Sequence, residues 1–188
     1  MINVYDFDNT IYHGDCSVHF WVYCMKQKPL ICLLIPIQLL NFILIKLHII
    51  SDKSLFFSFL RFFKNQNIIN NFWDKHEKNI CQWYMEQRDP SDVIISASPD
   101  FLIEEMAKRL GVHCIASKVS FETGKCLSPN CKGEQKVIRF KELYPETQIR
   151  NCYGDSMSDR FIMELAEKAH FVKNMSTDDV QINQKVER

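Results

Sequence analysis

The sequence predicts an α/β protein: a parallel sheet with helices on both faces and a helical cap inserted after the first strand. Two observations carry this. Short apolar runs alternate with helical patterns over residues 89–188, which is the signature of strands joined by crossover helices. Between the first and second apolar runs, residues 12–88 show helical spacing only. In order, residues 2–7 are a buried strand ending in acidic residues, and Pro29 and Pro36 punctuate the helical insertion. Val93, Ile94 and Ile95 form the second strand, and residues 100–110 an amphipathic helix with Gly111 just past its end. Residues 114–117 are a third strand, and residues 119–129, with the turn signal Glu122-Thr123-Gly124, a hairpin. A helix over 136–144, a strand over 149–153, a helix over 158–168 and a strand over 170–172 complete the pattern. The polar stretch after Asn174 is expected to fray. The domain division is therefore 1–11 with 89–188 as catalytic core, and 12–88 as cap.

The chain has 188 residues, enough for one catalytic domain with an insertion. Twenty-three basic and 23 acidic residues cancel, which argues against nucleic acid or any strongly charged partner. Met1 is followed within five residues by Asp6, a start unlike a signal peptide. Eight irregularly spaced cysteines read as reduced thiols of a cytoplasmic protein, and Cys126 with Cys131 lacks partners for a metal site.

In open parallel sheets, ligands bind beyond the carboxyl ends of the strands. Four polar clusters fall there: Asp6-Phe7-Asp8-Asn9-Thr10, Ser96-Ala97-Ser98, Lys136, and Gly154-Asp155 with Asp159. Each alone is weak, but their order behind separate apolar runs is specific. A carboxylate can attack phosphorus and form an acyl phosphate, the role expected of Asp6. A second carboxylate can protonate the leaving alcohol and then activate water, the role expected of Asp8. Asp6 and a dianionic phosphate repel, so magnesium is expected, held by Asp6, the backbone carbonyl of Asp8, and Asp155. Ser96 and Lys136 are expected to stabilise the transferring oxygens. Thr10, Ala97, Ser98 and Asp15 are expected to contact substrate, and Asp159 to orient the loop and the metal's waters. His13 and His19 lie near the expected mouth, but magnesium does not favour imidazole, so a surface or packing role is expected for both.

These four clusters resemble the four motifs of the haloacid dehalogenase superfamily, and the helical insertion resembles its phosphoserine phosphatase-like branch. The resemblance spans residues 6–159 and implies a Rossmann-like core, magnesium and an aspartyl-phosphate intermediate. Family phosphatases carry a second aspartate in the first motif, so Asp8 points to phosphomonoester hydrolysis. Lys132 competes with Lys136 for the third motif. Lys136 is preferred because Phe140 supplies the apolar residue four positions later. A vestigial binding protein is disfavoured by intact motifs, while a phosphotransferase would share the same residues.

The run from Pro29 to Ile50 is long enough to span a bilayer. A single span would separate Asp6 from Ser96, Lys136 and Asp155, which must meet on one side, and Pro36 divides the run. Two readings stay open: a buried seam of the cap, or a hairpin that dips into one leaflet at the cytoplasmic face, with Lys26, Lys28, Lys46 and Lys53 near anionic headgroups. The run resembles the insert of bacterial phosphatidylglycerophosphatases of this branch, which implies a lipid-borne phosphate as substrate. The alternative is a small soluble phosphomonoester, as in phosphoserine phosphatases, with Asp15 holding an amino group and Arg61 a carboxylate. The cluster Phe56, Phe57, Phe59, Phe62 and Phe63 is expected to be cap core.

Overall fold

A computed structural model describes residues 1–47, 49, 52–173 and 180–183. Strands β1 (Ile2–Tyr5), β2 (Val93–Pro99), β3 (His113–Ser117), β4 (Ile149–Gly154), β5 (Ala166–Val172) and β6 (Val180–Asn183) form one sheet in the order β3-β2-β1-β4-β5-β6. The first five pair in parallel and β6 is antiparallel to β5. Strand order reverses at β1, which has β2 on one side and β4 on the other. That reversal opens a crevice at the carboxyl end of β1, where a ligand can enter between diverging crossovers.

Between β1 and β2 lie α1 (Cys16–Gln27), α2 (Ile35–Lys46), α3 (Asn67–His76) and α4 (Gln82–Gln87), with 3-10 turns at Pro29–Leu34 and Phe56–Phe62. Helix α1 starts where the Asp15 side chain accepts the Val18 amide. The later helices are α5 (Asp100–Leu110), α6 (Glu134–Leu143) and α7 (Arg160–Met163). Helix α5 ends at Gly111, whose φ of 68° suits a residue without a Cβ. Two apolar clusters cover the two sheet faces, as the period-2 alternation of strand side chains requires. Val4, Val93, Ile95 and Ile149 pack with Phe140 and Ile162 on one face. On the other, Tyr5 and Ile94 join Phe20, Phe59, Phe72, Trp73 and Leu102, so the insertion shares its core with the sheet. The indole of Trp73 ties the two parts further by donating to the Leu102 carbonyl.

Several expectations need correction. The helix expected over 158–168 is a 3-10 turn at Met157–Asp159 followed by the short α7, because residues from Ala166 onward pair with β4. Residues 119–129 do turn back on themselves as a hairpin, but a short one, with a single antiparallel bridge, Val119 to Cys126, and cross-bonds from the Ser120 amide to the Lys125 carbonyl and from the Leu127 amide to the Lys118 carbonyl. The stretch expected to fray contributes β6; residues 174–179 and 184–188 lie outside the described residues. Of the aromatic cluster, Phe57, Phe59 and Phe63 are buried but Phe62 is exposed.

The largest correction concerns the apolar run. It is not a buried seam, since only 17% of Pro29–Lys46 is buried. In α2 the buried residues are the polar ones, Gln38 and Asn41. Gln38 accepts the Trp21 indole N–H at 3.1 Å and donates to the Phe56 carbonyl at 3.0 Å, while Asn41 donates to the Asp52 carbonyl. The leucines, isoleucines and phenylalanine of the opposite face point outward. Residues 48, 50 and 51, the end of that run and the residue after it, lie outside the described residues.

Candidate active site

Asp6 follows the last residue of β1, and its amide donates to the Tyr153 carbonyl of β4 at 2.8 Å. This pairing sets Asp6 beside Asp155, the residue after β4. The second neighbour of β1, strand β2, brings Ser96, Ala97 and Ser98 to the same end. Lys136 comes from the first turn of α6, after the β3 crossover. Parallel pairing around one central strand therefore assembles groups up to 153 positions apart.

Lys136 is fully buried, and its ammonium lies 2.5 Å from Asp6 Oδ1 and 2.6 Å from Asp159 Oδ1. The other Asp159 oxygen accepts the Ser156 amide and hydroxyl. Gly154 allows this approach: a Cβ there would sit 2.7 Å from the Asp159 Cβ. Asp6 Oδ2 accepts the Thr10 hydroxyl at 3.2 Å. Asp8 accepts the Cys16 amide at 2.6 Å on one oxygen and the Ser98 hydroxyl at 2.5 Å on the other.

Burial pushes the Asp6 carboxyl up to about 7, with Asp159 adding repulsion and Lys136 opposing both. Burial and then Asp15 push Asp8 upward, against its hydrogen bonds. Lys136 moves up too, because its two carboxylates outweigh desolvation, so it stays charged.

Carboxylate oxygens of Asp6, Asp155 and Asp159 lie within 4.8 Å of one another. An all-oxygen, acidic donor set of this kind suits a hard cation such as magnesium. Both oxygens of Asp159 already have partners, whereas Asp155 is half-buried and lines the cavity.

The cavity in front of Asp6 has a volume of about 430 Å³. Its polar floor includes Asp6, Asp8, Lys136, Asp155, Asp159, Ala97 and Ser98. Val18, Phe42, Ile45, Phe56 and Phe57 of the helical insertion form an apolar wall. Ser96 is placed differently from its neighbours: it is fully buried beneath the floor, and its hydroxyl accepts the Ser98 amide at 3.0 Å. Thr10 is likewise buried beneath Asp6. Asp15 both caps α1 and lines the cavity. Arg61 does not line it; its side chain donates to the Thr123 carbonyl. His19 bonds the Tyr12 hydroxyl, a packing role as expected. All eight cysteines are free.

Ser156 and Ser158, between Asp155 and Asp159 in the fourth cluster, line the cavity, whereas sequence reasoning did not anticipate Ser17 or Asn41 on its wall. For Asn41 a signal existed, since Gln38 and Asn41 stand three apart inside an apolar run and so share a helix face.

A sequence model of the family described as haloacid dehalogenase-like hydrolase matches residues 4–164. A curated relative, Protein CicA of Caulobacter vibrioides, is 30% identical over 83 residues, which are 40% of this chain. The chain spans 37% of the length of that relative. Among solved structures, a probable phosphoserine phosphatase from Vibrio cholerae superposes with a TM-score of 0.65 at 10% identity, covering 90% of this chain and 55% of that one. A phosphoserine phosphohydrolase-like protein from Francisella tularensis gives 0.56 at 15% identity, covering 90% and 86%. At such identities the likeness establishes the shared fold.

Proposed function

The chain belongs to the haloacid dehalogenase-like hydrolases, and from that membership we propose a magnesium-dependent phosphomonoester hydrolase that works through an aspartyl phosphate on Asp6. Its proposed substrate is a lipid-borne phosphate such as phosphatidylglycerophosphate. One observation carries this choice. The carboxylate floor of the cavity faces a wall of Val18, Phe42, Ile45, Phe56 and Phe57, which suits a phosphate on an apolar body.

In the first step a carboxylate oxygen of Asp6 bonds to phosphorus as the ester P–O bond breaks. Asp8 gives its proton to the departing alkoxide, a task helped by the upward push on its carboxyl. Asp8, now ionised, takes a proton from water, whose oxygen attacks the same phosphorus. The acyl-phosphate P–O bond breaks, returning Asp6 as a carboxylate and releasing inorganic phosphate. Lys136 holds Asp6 in place throughout and supplies fixed positive charge. Ser98 and the Ala97 backbone contact the transferring oxygens, with Ser96 supporting Ser98 from below. Thr10 steadies Asp6, and Asp159 positions Lys136 and the Ser156 loop. Magnesium would be held by Asp6, Asp155 and the Asp8 carbonyl, and would neutralise the charge that accumulates between carboxylate and phosphate.

In this reading residues 1–11 and 89–188 carry the chemistry, and 12–88 select the substrate. Eight free cysteines fit a reducing compartment, hence action at the cytoplasmic face of a membrane. A soluble phosphomonoester is the second reading, favoured by Asp15 on the cavity wall but not by the position of Arg61. The test is phosphate release with magnesium from micellar phosphatidylglycerophosphate and from phosphoserine, with Asp6→Asn as blank. Faster release from the lipid supports the first reading, faster release from phosphoserine the second. No release from either substrate or from an aryl phosphate would refute the phosphatase assignment.

A further inference from the structure

We propose that the outward face of α2 is a docking surface for an anionic lipid bilayer, with the helix lying in the plane of one leaflet. The first observation is the inversion of α2. Gln38 and Asn41 are turned into the protein, while Leu39, Leu40, Ile43 and Leu47 are each more than half exposed. A water-facing helix would place the amides outside and the aliphatic side chains inside. This one places its apolar side where lipid would meet it.

Charge selects the occupant. Between Asp15 and Asp74 the chain carries one carboxylate, Asp52, against Lys26, Lys28, Lys46, Lys53, Arg61 and Lys64, of which Lys53 lines the cavity and Arg61 donates to the Thr123 carbonyl. Among the described residues none of these six cations is in an ion pair. A second copy docked here would bring two net-positive segments together across an apolar contact. Anionic headgroups would neutralise them, each lysine near the surface adding to the attraction.

Geometry sets the depth. The 12 residues of α2 by themselves reach about 18 Å, short of a hydrocarbon core of about 30 Å, and only together with the preceding 3-10 stretch is Pro29–Lys46 long enough to cross. Crossing is excluded independently, because β1 before the segment and β2 after it pair directly, Val4 with Val93. The helix therefore lies at the interface, as amphipathic surface helices do. Asn41, Phe42 and Ile45 of the same helix line the cavity, so on the phosphatase reading a headgroup phosphate could reach Asp6 from the membrane surface.

The test is flotation of the full chain with vesicles of phosphatidylcholine alone or with about 30% phosphatidylglycerol, a content that gives a negative surface potential. These vesicles carry no phosphomonoester, and the Asp6→Asn protein is run beside the wild type. Docking therefore stands or falls separately from catalysis. Both proteins should float with the anionic vesicles, and 0.5 M salt should weaken binding. The double variant Leu39→Gln, Ile43→Gln should bind at least about tenfold more weakly while hydrolysing a soluble aryl phosphate at the wild-type rate. Absence of flotation, flotation unchanged in the double variant, or a concentration-dependent dimer that the double variant abolishes would overturn the proposal.

Discussion

Lys136 is the side chain on which the charge balance of the site depends. It is buried between Asp6 and Asp159, and removing it would leave two carboxylates facing each other without a counter-ion. Breaking a buried pair in this way costs about 3–5 kcal/mol. Lys136→Met should therefore lower stability by that amount in urea unfolding and abolish phosphate release. Asp6→Asn should lower activity by about 10⁴-fold or more, since the proposed nucleophile is lost. Its effect on stability varies with pH. The Asp6 carboxyl is raised from 3.8 to about 7, so the folded state holds that proton more tightly than the unfolded state does. As pH rises from about 4 to 7 the unfolded chain ionises first, and the metal-free protein loses stability. Asn lacks this cost. The stability of Asp6→Asn relative to wild type should then increase between pH 4 and 7.5 in the presence of a chelator, measured by denaturant titration. A flat difference would mean that Lys136 compensates fully for burial.

At the scale of an element, α2 holds to the protein through its polar residues. Gln38→Leu would make the helix more apolar, yet it removes the partner of the Trp21 indole and of the Phe56 carbonyl. Leaving such groups unsatisfied costs about 1–3 kcal/mol. Thermal unfolding should show the loss, whereas Leu40→Gln on the exposed face should leave the melting temperature within a degree or two. Gly154 limits β4 in a different manner. Its missing Cβ is what lets Asp159 approach, and overpacking of this kind costs about 1–3 kcal/mol. Gly154→Ala should lower stability by that amount and impair activity through displacement of Asp159 and Lys136.

For the whole molecule, the proposed metal site depends on the meeting of β1 and β4. Asp6 and Asp155 come together only when those strands pair, so an ion held between them binds the folded state alone. Magnesium at 100 times its dissociation constant should then stabilise the protein by about 2.7 kcal/mol. Asp155→Asn should remove most of that gain while leaving the metal-free melting temperature nearly unchanged, because Asp155 is half-buried and stands outside the Lys136 pairing.

The order of strands and helices, and the placement of Asp6, Asp8, Lys136, Asp155 and Asp159 near strand ends or helix starts, were legible in the chain itself. Apolar runs ending in carboxylates are local patterns, and parallel sheets put such ends on one side by geometry. Residues 158–168 were misread because a short apolar pattern suits helix or strand, and only pairing with β4 decides. The relation of Ser96 to Ser98 was equally hidden, since which hydroxyl reaches the cavity depends on how β2 ends against Asp8. Composition revealed that residues 29–50 are apolar but not which way they face. That direction was fixed by long-range partners, Trp21, Phe56 and Asp52, which draw Gln38 and Asn41 inward and turn the aliphatic face of α2 outward. Sequence alone thus determined the fold class and which polar residues stand near the strand ends, because both follow from local patterns. Tertiary structure decided the cavity's apolar wall and the exposed face of α2, because both depend on contacts between residues far apart in the chain.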